Sequence, residues 1–185
     1  TNQQITRFVT SSAGRYVDNA GQSRSIGVEA TAAWQIIPSL RASVSYGHAN
    51  SRFEVWHTKV TKPSGESVEV DLAGNHVPYM PQHTASALLS YHKGLDHKVL
   101  RAVHASAEYS GIGPIYRDPE NTVREDFYSL LGARAGVQLG LVDVTFWGRN
   151  LLGTEYHPFY FNFFGQDLFQ KGAPLTFGVD LMIRM

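Results

Sequence analysis

Apolar and polar residues alternate with a period of two over most of this chain. That spacing places side chains on opposite faces of a β-strand. Between residues 127 and 139 one phase is Leu131, Ala133, Ala135, Val137 and Leu139, and the other is Leu130, Gly132, Arg134, Gly136 and Gln138. Leu40, Ala42, Val44 and Tyr46 alternate with Arg41, Ser43, Ser45 and Gly47. Val28, Ala30, Ala32 and Trp34 alternate with Gly27, Glu29, Thr31, Ala33 and Gln35. The pattern predicts eight strands, over residues 3–10, 24–35, 40–53, 84–91, 99–109, 127–139, 141–151 and 176–185. No stretch carries a helical period. Gly132, Gly136 and Gly140 have the spacing of a helix-packing motif, but in a strand the same spacing sets all three on one face.

The connections alternate in length. Short ones fall at 36–39, 92–98 and 139–140, long ones at 11–23, 54–83, 110–126 and 152–175. In an up-and-down array every second connection lies at the same end, so all the long loops gather at one end. Outer-membrane β-barrels have this asymmetry.

Alternation does not say which face is wet, because a soluble barrel is apolar inside and a membrane barrel apolar outside. Composition bears on that choice. Charged residues are 17% of the 185, against about 25% in ordinary soluble domains. The five lysines (Lys59, Lys62, Lys93, Lys98 and Lys171) all lie in predicted loops or at strand ends. The polar phase is small and hydroxylic with isolated charges, which suits a hydrated interior better than a free surface. Trp34, Tyr91 and Tyr109 close their predicted strands, where interfacial aromatics belong; strand propensity explains the same placement. No apolar run reaches the length of a membrane-spanning helix. Net charge is zero with histidine neutral, which argues against a nucleic-acid partner. Cysteine is absent, which removes disulfides, thiolate metal sites and cysteine nucleophiles. The chain opens on Thr1 with no signal-like segment, as expected of a mature piece or a fragment.

Four blocks carry a family resemblance. Asn19, Ala20 and Gly21 run into Gly27, Val28 and Glu29; Val77, Pro78 and Tyr79 precede Pro81 and the strand at Thr84; Trp147, Gly148, Arg149, Asn150 and Leu151 end one strand; Gly172, Ala173 and Pro174 lead into Thr176, Phe177, Gly178 and Val179. In this order they resemble the C-terminal part of the barrel of a TonB-dependent outer-membrane receptor of the siderophore-receptor kind. The resemblance implies an all-β fold, an antiparallel up-and-down transmembrane β-barrel segment of about eight strands from a barrel of about 22. It implies that residues 1–185 are the C-terminal part of that barrel, with the plug domain absent. It implies active uptake of a ferric siderophore or similar scarce ligand across the bacterial outer membrane, with no tightly bound cofactor. The implied partners are outer-membrane lipid, the plug and remaining strands of the same receptor, and a TonB-type energy-coupling protein acting through the missing N-terminal part. The chain departs from the family at its end, where Ile183 and Met185 stand in place of the usual aromatics. Two other readings remain: an autonomous eight-stranded outer-membrane protein, and a soluble β-barrel ligand-binding module.

The candidate ligand contacts lie in the long loops. Tyr156, His157, Phe159, Tyr160, Phe161, Phe163 and Phe164 form an aromatic run suited to stacking on a planar chelate. Packing onto the barrel rim is the commoner fate of such a run. Tyr116 and Arg117, followed by Asp118 and Pro119, would suit an anionic chelate, although a solvated turn is the commoner reading. Glu29, His104, Glu108, Arg134, Asp143, Arg149 and Arg184 are expected to face the lumen. His57, His76 and His83 fall in or beside one loop without metal-site spacing, so no metal site is expected. Nucleophile-elbow, phosphate-loop and zinc-protease motifs are all missing, and no enzyme activity is expected.

Overall fold

The computed structural model describes residues 6–11, 14–19, 21–61, 65–163 and 166–183. Among these, fifteen strands follow in chain order without a helix. They are β1 (Thr6–Ser11), β2 (Gly14–Asn19), β3 (Gln22–Ile37), β4 (Leu40–Val55), β5 (His57–Thr61), β6 (Ser67–Asp71), β7 (His83–Gly94) and β8 (Leu100–Gly113). Then come β9 (Ile115–Tyr116), β10 (Arg124–Glu125), β11 (Tyr128–Leu139), β12 (Val142–Arg149), β13 (Phe159–Phe163), β14 (Gln166–Gln170) and β15 (Thr176–Ile183).

Seven strands form the wall, in the order β15-β12-β11-β8-β7-β4-β3. Every neighbouring pair is antiparallel, so the sheet is an up-and-down meander. Seven of the eight expected strands are here. The expected strand at residues 3–10 is not part of this sheet: its described portion lies in β1, which pairs with β2 in a separate hairpin, Thr6 opposite Asn19. Residues 184 and 185 of the last expected strand lie outside the described residues.

The register holds each phase on its own face across the whole wall. One row reads Trp34, Ala42, Leu89, Ala107, Ala133, Gly148, Phe177. The row one residue away reads Gln35, Arg41, Ser90, Ser106, Arg134, Trp147, Gly178. A one-residue slip would exchange the two. Among the described residues no buried core lies against the apolar row: Phe177 is 82% and Leu181 72% exposed. On the polar side, hydroxyls bond across strands, Thr31 to Ser45 at 2.9 Å and Ser25 to Ser51 at 2.7 Å. The arrangement expected of a soluble barrel, aliphatic groups gathered in a dry centre, is not what these strands build.

The hydrophobic core of the described residues lies at the long-loop end. Phe53, Trp56 and Leu72 are buried there, with Val70 and Val77 against them. Phe53 stands in the polar phase of β4, opposite Ser23, so this cap sits over the polar face. Of the four long connections expected, that at 11–23 holds β2 of the separate hairpin; the three that join wall strands carry structure of their own: β5–β6 in the first, β9–β10 in the second and β13–β14 in the third. At the other end the connections are tight. Gly140, at φ +59°, takes a conformation that favours glycine in the turn from β11 to β12. Tyr109 does not close its strand, since β8 runs on to Gly113.

Candidate functional site

The long loops enclose a cavity of about 660 Å³ at the mouth of the wall, within the usual size range of ligand pockets. Trp56, Val77, Pro78 and Tyr79 line it from the first loop, Arg117, Asp118, Pro119, Glu120 and Thr122 from the second, and Tyr160, Phe161 and Asn162 from the third. Phe53 forms part of its wall. Aromatic and apolar surfaces dominate, with Arg117, Asp118 and Glu120 as the charged groups.

The first and second loops are joined by the turn at Asp118. Its carboxylate accepts from Thr122 N, Thr122 Oγ1 and Val123 N at 3.0, 2.6 and 2.8 Å. Asn121, held at φ +59°, then mimics a strand partner for His76. It donates to the His76 carbonyl at 3.0 Å and accepts from the His76 amide at 2.6 Å. Asn75 donates to the Pro119 carbonyl at 2.9 Å. Tyr116 stacks on the His76 ring, centroids 5.0 Å apart. Burial, and then the nearby Arg52 charge, hold His76 below its ordinary pKa, so the stacked ring is neutral near pH 7.

Arg117 ties the third loop to the other two. It is 6% exposed, so the side chain just before the Asp118 turn is buried rather than solvated. Its guanidinium donates to the carbonyls of Pro158, at 3.3 Å, and His157 and lies 5.3 Å from the centroid of the Tyr79 ring. The Tyr79 hydroxyl donates to the Tyr160 carbonyl at 2.7 Å. Glu125 accepts from the His157 amide at 3.1 Å and pairs with its ring at 3.3 Å. Both terminal nitrogens of Arg117 are thus engaged with backbone carbonyls. Its Nε is the buried side-chain nitrogen without a hydrogen-bond partner among the described residues.

The aromatic run divides between the cavity and packing. Tyr160 and Phe161 line the cavity. Phe159 faces Tyr79 at 6.4 Å, Tyr156 stacks on Tyr128 at 4.8 Å, and His157 meets Phe169 edge-on at 5.3 Å. Of Phe163 only the backbone, paired with Gln166, is described, and Phe164 lies outside the described residues. Tyr160 donates to Asp167 at 2.7 Å. Burial, and then that bond to a carboxylate, push its pKa up to about 12. The same bond, with one from Asn162, holds Asp167 below the usual carboxylate range.

On the wall, Glu29, His104, Glu108, Arg134, Asp143 and Arg149 share the polar face; Arg184 lies outside the described residues. His104 on β8 reaches over Gly136 of β11 to Thr145 on β12, at 2.9 Å. Thr145 in turn donates to Asp143 at 3.0 Å. A Cβ at Gly136 would stand 2.4 Å from the His104 ring and 2.6 Å from the Val144 carbonyl; the bare glycine leaves the passage open. Trp147, which was not among the polar-face residues expected, donates to Asp180 at 3.0 Å beneath the Arg149 guanidinium, 5.1 Å away. Not among the expected contacts were Phe53, Trp56, Tyr79 and Asn162 at the mouth, although Tyr79 stood in one of the four blocks and Asn162 within the aromatic run. Among the described residues no group of histidines and carboxylates is placed to hold a metal ion.

Asn150 explains two of the sequence blocks together. It sits at φ +50°, donates to the carbonyls of Thr154 and Ala173 at 2.9 and 3.0 Å, and accepts from the Thr154 amide at 2.9 Å. It thereby fastens the end of β12 to the segment that leads into β15.

Comparison with known proteins fits this geometry. The family model described as TonB dependent receptor-like, beta-barrel, matches residues 1–151. The chain belongs to the TonB-dependent receptor β-barrel family. Members are outer-membrane receptors rather than enzymes. The ferric yersiniabactin uptake receptor FyuA of Yersinia pestis superimposes with a TM-score of 0.75 at 22% identity, over 91% of this chain and 24% of that one. The siderophore receptor PiuA of Acinetobacter baumannii gives 0.71 at 21% identity, over 97% of this chain and 23% of that one. At these identities the likeness is one of fold. The chain spans about a quarter of the length of each. The TonB-dependent receptor wall is thus present, with its polar and apolar faces separated and its long loops folded over one end.

Proposed function

We propose that this chain is the C-terminal part of the barrel of a TonB-dependent receptor that takes up a ferric siderophore or similar chelate. In this reading the apolar face meets lipid and the polar face lines the lumen. The loop cavity captures the ligand, and a plug and an energy-coupling protein, engaged through the rest of the receptor, release it inward. The observation that carries the reading is the cavity over the polar face, walled by Trp56, Tyr79, Tyr160 and Phe161. Flat aromatic walls hold a planar or aryl-bearing chelate by stacking and exclude water. The two receptors of similar fold are described as a ferric yersiniabactin uptake receptor and a siderophore receptor.

Phe161 offers the test, because it lines the cavity and is still 46% exposed. In the full receptor, Phe161→Ala should weaken binding of a panel of ferric chelates about tenfold, the loss of one aromatic contact surface, as read by quenching of receptor fluorescence. Equal affinity in a folded variant would leave Phe161 a packing role only. A coding sequence upstream that holds no plug-sized domain would defeat the transport reading.

A further inference from the structure

The outward phase of β3 and β4 changes character near the mouth. Trp34, Ala32, Ala30 and Val28 on β3 and Val44 and Tyr46 on β4 are apolar or aromatic. Beyond them, in the same phase, come His48 opposite His83, and then Arg24 directly opposite Arg52. Arg24 stands ten residues from Trp34. At ~3.3 Å per residue and a tilt of ~40°, that is about 25 Å along the membrane normal, the height of the apolar band of such barrels. Both arginines are exposed.

Two like charges in direct cross-strand opposition repel, yet among the described residues no carboxylate forms an ion pair with either. Glu54, at the bulge after Arg52, makes none. Arg52 is also held in place. It donates from Nε to the Asn50 side chain at 3.0 Å and from Nη1 to the Gly74 carbonyl at 2.6 Å. Below it, His83 bonds the Tyr46 hydroxyl at 2.7 Å and lies against His48, centroids 4.6 Å apart. Two opposed arginines, one of them held in place, and hydrogen-bonding side chains therefore crown an apolar surface, on the side away from the cavity.

We propose that Arg24 and Arg52, with His48, His83 and Tyr46 beneath them, bind the phosphate groups of lipid in the outer leaflet. The apolar face takes the acyl chains and the arginine pair takes the phosphate, which removes their mutual repulsion. Continuity with the apolar band selects lipid over a free anion. The site rests on the outer-membrane fold and is independent of the transported ligand.

The test uses the full receptor in detergent micelles, titrated with diphosphoryl lipid A, dephosphorylated lipid A and inorganic phosphate, with bound species read by native mass spectrometry. Wild type should prefer the diphosphoryl form. Arg24→Gln and Arg52→Gln should each lower that affinity about fivefold, and the pair about thirtyfold. Ferric-chelate binding should be unchanged in both, which separates this site from the mouth. Arg24→Lys with Arg52→Lys should retain most of the binding. The selectivity of wild type tests the proposal even if the Gln pair assembles poorly. Equal binding of phosphorylated and dephosphorylated lipid overturns it, as does saturation by inorganic phosphate alone at the same concentration. A folded Gln pair with wild-type lipid affinity also overturns it.

Discussion

Replacing Arg117 by Met removes the tie between the second and third loops while keeping an apolar stem of similar length. The carbonyls of His157 and Pro158 lose their charged donor, and Tyr79 loses the guanidinium over its ring. Hydrogen bonds from a charged donor are worth about 1.5–3 kcal/mol each, and the ring contact about 0.5–1 kcal/mol. Relief of the buried charge and of the unpartnered Nε offsets part of this, leaving a local loss of about 2–4 kcal/mol. The amides of β13 and of Gly172, which donates to the Tyr156 carbonyl, should then exchange with solvent about 30- to 700-fold faster. Amides of β11 should not change. The assay is hydrogen exchange on the full receptor, with heat-modifiable migration in gels as the check on barrel folding. Arg117→Lys keeps the charge but not the fork, and should fall between the two. Unchanged exchange in β13 of a folded Arg117→Met receptor would refute the strut.

Two further outcomes follow from the same geometry. Asn150→Ala forfeits three hydrogen bonds and leaves a non-glycine residue at φ +50°; assembled receptor should be about 2–4 kcal/mol less stable to heat or denaturant, with Asn150→Gly, which relieves the backbone but not the bonds, intermediate. The Tyr160 phenol, raised to about 12, favours the folded loop below the ordinary tyrosine pKa of ~10, and that contribution disappears as pH rises through about 12. Asp167, lowered, acts in the opposite sense: its contribution is present above the ordinary aspartate value and is lost as pH falls through its depressed one. Phenolate absorbance of wild type minus Tyr160→Phe should therefore show a tyrosine titrating near 12, and a component near 10 would contradict it.

The wall was legible because its information is local. Period two in Leu131 to Leu139 and in Phe177 to Ile183 sets both the strand and its faces, and antiparallel pairing with tight turns fixes the rest. Loop lengths supplied the asymmetry of the two ends. The mouth was not legible to the same depth. Arg117 beside Asp118 and Pro119 has the composition of a solvated turn; it is buried because residues 157 and 158 come over it from forty positions away. Tyr79 and Tyr160 meet across eighty-one. The aromatic run was read as a loop, although Phe159, Phe161 and Phe163 alternate with Tyr160 and Asn162 as a strand does. Both phases of this run carry rings, so its period of two brings little contrast in hydropathy. The hairpin β1–β2 was missed for another reason: alternation identifies a strand but not the sheet it joins.

The direction of the wall is the claim on which the rest depends, and side-chain environment along β11 tests it most directly. The chain has no cysteine, so single cysteines at residues 130 to 138 give unambiguous sites within it for nitroxide labels in the full receptor. Paramagnetic accessibility should alternate with period two. Labels at Leu131, Ala133, Ala135 and Val137 should relax with dissolved oxygen, and labels at Leu130, Arg134 and Gln138 with a water-soluble nickel chelate. The opposite phase, or nickel access at both, would contradict the account.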